Sequence, residues 1–211
     1  MTLETTPLLL QNLYWITLLA VIVSSASGVL KAGFKQFDLF GVIMIAVTTG
    51  LGGGSLRDML LDRDVFWIAD QGFFIASIAS AVAIFIAARF IIISPKYFLI
   101  ADAAGLATFA IAGTLVSLML GASPLVASFM GVITGAMGGV FRDVLCNETP
   151  VVFSSSLYAT VSWLGSLLFI GLLAFEIETT YAAIIAGVSI FIARLLAIYY
   201  KLKLPRFRFK S

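Results

Sequence analysis

Charge-free stretches dominate this chain, at 5–30, 39–56, 71–88, 103–141, 149–175 and 179–193. A helix crosses about 30 Å of hydrocarbon with roughly 20 apolar residues at about 1.5 Å each. Each stretch holds one such helix once charges at its ends are admitted, except 103–141, which holds two around the turn-forming Gly121-Ala122-Ser123-Pro124. The pattern predicts seven transmembrane helices, at about 10–30, 38–61, 72–94, 97–119, 124–146, 154–176 and 179–201. The stretches are continuously apolar rather than alternating, which speaks against a β-barrel.

Composition agrees. Apolar residues make up 61% of the 211 and charged residues 11%, with a mean hydropathy of +1.11. Soluble domains run near 45–50% and about 25%, so a water-soluble enzyme is excluded. There is no histidine and one cysteine, Cys146. A disulfide framework, a Cys/His metal centre, histidine haem ligation and a His-based triad are thereby excluded. No nucleophile–base set is recognisable, and the chain is not expected to be an enzyme. Six of the thirteen bases lie after position 193, so the net charge of +2 reflects a basic tail and not a nucleic-acid surface.

Orientation follows from the Lys and Arg of each loop. An outside N-terminus puts Lys31, Lys35, Arg89, Lys96, Arg142 and the 201–210 bases inside, leaving Arg57 and Arg63 outside beside Asp58, Asp62, Asp64 and Asp70. The C-terminus is therefore expected in the cytoplasm. The first span follows Glu4 and no base, unlike a cleaved signal peptide.

Sliding the chain along itself by 85 residues aligns VTTGLGGGSLRDML (47–60) with VITGAMGGVFRDVL (132–145), including Gly53/Gly138, Gly54/Gly139, Arg57/Arg142 and Asp58/Asp143. The repeat unit holds three helices, and an odd number inverts the second copy in the membrane. The predicted architecture is all-α: an inverted pair of three-helix units, 1–94 and 95–176, followed by a seventh helix and basic tail at 177–211. Inverted repeats place a pathway near the midplane between corresponding interrupted helices.

The glycines Gly52, Gly53, Gly54, Gly138 and Gly139 lie inside the second and fifth spans. Clustered glycines permit a kink or close packing. A loosened helix frees carbonyls that a cation pathway can use with the Thr49, Ser55 and Thr134 hydroxyls; tight packing alone is the alternative. Arg57-Asp58 and Arg142-Asp143 follow one turn later. Ionisable groups within spans are costly unless paired or hydrated. Adjacent helical residues point about 100° apart, so partners on other helices are expected, in a pathway, a gate or a structural ion pair. Asp102, among Ala101, Ala103, Ala104 and Gly105, is a further candidate for attracting cations. Trp15 and Trp67 fit interfacial belts. No metal site is expected.

The doubled GG-x-x-RD block, the seven spans and the basic tail together resemble the trimeric intracellular cation (TRIC) channel family in its prokaryotic branch, over nearly the whole chain. The resemblance implies a homotrimer in a prokaryotic inner membrane, each protomer holding its own pore lined by the glycine-kinked second and fifth helices. It implies monovalent cation conduction, K⁺ preferred and Na⁺ permeant, with no cofactor and with lipid as the other bound species. Animal members carry a lipid-binding basic segment that has no lysine-rich counterpart within these spans. Bacterial members have also been labelled glycine transporters, which keeps open a secondary transporter of a small solute such as an amino acid.

Overall fold

The computed structural model describes residues 7–90, 94–154 and 157–202. These form nine helices and no strand: α1 (Pro7–Gly33), α2 (Leu39–Leu60), α3 (Phe66–Ala69), α4 (Gln71–Ala87), α5 (Pro95–Met119), α6 (Pro124–Leu145), α7 (Val151–Ser154), α8 (Ala159–Ala174) and α9 (Thr179–Tyr199). By length and composition α1, α2, α5, α6 and α9 can cross a membrane; α4 and α8 are apolar but shorter, at 17 and 16 residues. The tail from 203 lies outside the described residues.

Local chemistry sets the ends. The Asp38 carboxylate accepts from Gly41 N at 2.7 Å, Asp70 from Gly72 N at 2.8 Å and Glu178 from Thr180 N at 3.0 Å, each supplying a cap to a free N–H. Pro95 and Pro124 open α5 and α6, where a missing N–H costs nothing. The α5 start thus precedes the expected 97. Two expected helices are shorter than predicted. The helix expected over 72–94 stops at Ala87, where residues 88–90 turn and Arg89 stacks on Phe85 at 5.2 Å; residues 91–93 lie outside the description. The helix expected over 154–176 begins at Ala159, because residues 151–154 form the separate α7.

Four helices make the centre. α1 packs on α2 and α5, α6 on α5 and α2, while α4 covers α1 and α2 and α8 covers α5 and α6. α9 closes the far side against α5 and α8. The interior is built on small residues: Ser25 meets Ser77 at 2.8 Å, and a Cβ at Gly28, Gly105 or Gly113 would strike Thr49, Ser24 or Thr134. Such residues let backbones approach where burial of apolar surface alone drives little association.

The 85-residue spacing recurs in the elements themselves. It separates α2 from α6 and α3 from α7 at both ends. Both α2 and α6 finish alike, with Asp62 (φ 51°) and Asn147 (φ 54°) in the left-handed region. Behind them Arg63 N returns to Asp58 O at 3.1 Å and Glu148 N to Asp143 O at 2.8 Å, a Schellman-type close.

Candidate functional site

α2 and α6 cross at Gly53 and Gly138. A Cβ on Gly53 would land on the carbonyl oxygen of Thr134, and one on Gly138 on the carbonyl oxygen of Thr49. Gly52 lies against the Phe141 ring and Gly54 against Phe66, whereas Gly139 has ordinary room beside Arg142, Tyr158 and Asp102. Both helices run without interruption through their glycines. The hydroxyls are spent within their own helices, Thr49 on Ile45 O at 2.5 Å, Thr134 on Met130 O at 2.7 Å and Ser55 on Leu51 O at 2.8 Å. The glycines serve close approach, and Thr49, Ser55 and Thr134 satisfy carbonyls rather than face an open passage.

The charges lie one turn beyond the crossing, and all four are at most 1% exposed. Each arginine pairs first with its own neighbour, Arg57 Nε with Asp58 Oδ1 at 2.8 Å and Arg142 Nε with Asp143 Oδ1 at 2.9 Å. The expected partner on another helix is found for Arg142, in Asp102, and among the described residues not for Arg57. Desolvated charges must be paired, and the long arginine stem curls to reach the next residue despite the 100° offset. The second carboxylate oxygen accepts a backbone N–H eight residues on, Phe66 N to Asp58 and Val151 N to Asp143, both at 2.9 Å. These bonds seat α3 and α7 over the clusters.

Further partners come from other elements. Arg142 Nη1 donates to Asp102 Oδ1 at 2.7 Å and to Ser27 Oγ at 3.1 Å, and its guanidinium stacks on Phe98 at 4.7 Å. Asp102 thus belongs to the α6 cluster, joined from α5. Tyr158 lies alongside, with Arg194 stacked on its ring at 4.7 Å. Around Arg57 are the Phe66 ring at 5.6 Å and Arg63, whose Nε is 3.5 Å from Asp58. Trp67, expected at an interface, donates to Ser55 at 2.8 Å.

At the mouth of the α6 cluster Glu148 binds Lys31 and, at 2.9 Å, Lys35. Those two ammonium groups hold the Glu148 carboxyl below its usual range. Lys31 also sits over Phe98 at 5.3 Å, on which Arg142 stacks too. Sequence reasoning missed Ser27, Phe98, Tyr158 and Arg194 as members of this cluster. Arg194, the one charge within α9, was the available signal. No group of metal-ligating side chains occurs among the described residues.

A family sequence profile described as "Glycine transporter" matches residues 14–89 and again 99–174. The UPF0126 inner membrane protein YadS of Escherichia coli K12 is 36% identical over 197 residues, covering 92% of this chain and 95% of YadS. A UPF0126 membrane protein of Vibrio cholerae is 38% identical, covering 92% and 82%. The fold superposes on the TRIC trimeric intracellular cation channel orthologue from Rhodobacter sphaeroides with a TM-score of 0.86 at 31% identity, over 90% of this chain and 99% of that one. It superposes on a prokaryotic TRIC channel crystallised in 0.5 M KCl with a TM-score of 0.85 at 28% identity, over 92% and 100%. An all-helical membrane protein with paired Arg–Asp clusters flanking a glycine crossing is the class these features define. The chain belongs to the TRIC channel family, in its prokaryotic branch.

Proposed function

We propose that this protein is a monovalent cation channel of a prokaryotic inner membrane, preferring K⁺ and admitting Na⁺, with one pore in each protomer of a homotrimer. The likeness to solved TRIC cation channels carries this reading. In it, seven spans form two inverted three-helix units, 1–94 and 95–176, with 177–211 appended, the N-terminus outside and the C-terminus in the cytoplasm. The pathway runs along α2 and α6, past the crossing and both charged clusters, and needs no cofactor. The described conformation is then a shut one. Backbones meet at Gly53 and Gly138, and the charges on either side are sealed from solvent; conduction requires the crossing to part and the clusters to be wetted.

Reconstitution into planar bilayers under K⁺, Na⁺ and anion gradients tests the reading. Discrete unitary currents reversing near the K⁺ potential are expected. The profile description "Glycine transporter" favours a second reading, a carrier that rocks about a closed centre; saturable glycine flux without unitary events would establish it.

A further inference from the structure

The two Arg–Asp pairs are alike in sequence but not in company. Shifting by 85 residues replaces every side-chain partner of Arg142 outside its own motif with a group of different chemistry: Thr17 stands for Asp102, Ala112 for Ser27, Phe73 for Tyr158 and Leu13 for Phe98. Arg142 consequently makes hydrogen bonds to Asp143, Asp102 and Ser27. Among the described residues Arg57 makes its side-chain hydrogen bond to Asp58 alone, and Arg63 competes for the same oxygen. Each guanidinium keeps one buried nitrogen without a partner among the described residues, Nη1 of Arg57 and Nη2 of Arg142. In Arg57 that nitrogen is Nη1, the counterpart of the Arg142 nitrogen that Asp102 and Ser27 serve.

Leaving a buried charged donor unspent is costly, and that cost is recovered by exposure to water. Each arginine has one such nitrogen, so the difference lies in what must be given up to reach water: Arg142 would break three side-chain hydrogen bonds, two of them to carboxylates, and Arg57 one. The cover differs in the same sense. Phe66 lies against Arg57 and touches Phe73, which touches Tyr14, ring to ring at 5.1 Å. Arg63 stands 3.5 Å from Asp58 there, whereas at the other mouth Glu148 bridges to both Lys31 and Lys35.

We infer that Arg57, and not Arg142, is the barrier charge that moves when the passage opens, swinging from beneath Phe66 to water at its own end while Arg142 stays as the anchor. This rests on the channel reading, and it assigns unlike roles to motif copies that sequence makes equivalent.

The test gives Arg57 the company of Arg142. Thr17→Asp, with Ala112→Ser, should lower open probability at least about tenfold while leaving unitary conductance unchanged; Thr17→Asn, which adds an acceptor without a charge, should do so less and covers the case in which the aspartate prevents assembly. Hydrogen exchange on the intact protein supplies a readout that needs no current. The amides of Phe66 and Val151 donate to equivalent aspartates, and that of Phe66 should exchange about tenfold faster, slowing in the Thr17 variants. Equal or faster exchange at Val151, or no change at Phe66 in either variant, would overturn the inference. Exchange as expected with no unitary current from the unmodified protein would instead sink the channel reading and leave the mobility of Arg57 standing.

Discussion

Gly53 and Gly138 face one another across the α2–α6 crossing, each set against the carbonyl of the threonine four residues before the other. That reciprocity makes the crossing a contact of backbones with no side chain between them. Attraction there comes from close van der Waals contact and weak Cα–H···O bonds, so a single added methyl group has nowhere to go.

Gly53→Ala and Gly138→Ala should each destabilise the folded protein by about 1–3 kcal/mol through overpacking. Gly171→Ala in α8, where an added Cβ meets nothing within 4 Å, should be neutral or stabilising by up to about 1 kcal/mol through helix propensity. Thermal unfolding in detergent compares them directly. Equal midpoints for all three would remove the crossing as a structural constraint.

The unequal surroundings of the two arginines predict unequal losses. Asp58→Asn leaves Arg57 buried without a full charge partner, a change worth about 3–5 kcal/mol. Asp143→Asn still leaves Arg142 with Asp102 at 2.7 Å and should cost less. Folded yield and recovery of the assembled protein on size exclusion rank the two, and a reversed ranking would contradict the role given to Asp102 in holding Arg142.

Much of this could be read from the chain. The apolar stretches located the long helices to within a few residues, because charges and prolines bound them, and the 85-residue offset paired α2 with α6. Neither α3 nor α7 was legible: four residues carry no period, and both are seated by an aspartate oxygen eight residues upstream. The glycines left two readings open, since the same pattern serves a kink or a close contact and only the opposing backbone shows the contact. Adjacent Arg–Asp pairing was missed for a related reason. Helical geometry sets where side chains start, while burial decides where they end.

Topology offers an independent check of the inverted units. A reporter fused after Ser211 should lie in the cytoplasm and one inserted at Arg63-Asp64 outside. Finding both on one side would break the proposed seven-span arrangement.

The Glu148 bridge predicts a stability difference confined to a pH range. Its carboxyl is held below the usual range by Lys31 and Lys35, so it binds fewer protons folded than unfolded. Its contribution is therefore fully present above the unfolded carboxylate value of about 4.3 and is lost as pH falls through the lower folded value. The bridge ties the end of α1 to the segment after α6, but Glu148 is 36% exposed in its side chain, so the effect should be modest. Glu148→Gln should unfold at a lower temperature than the unmodified protein at pH 7, and the gap should close as pH falls below about 4. High salt should narrow the gap at pH 7 as well, because partly exposed pairs are screened. Melting curves at three pH values and two salt concentrations decide it, and a gap that persists unchanged at acid pH would mean that Glu148 acts by packing and not by charge.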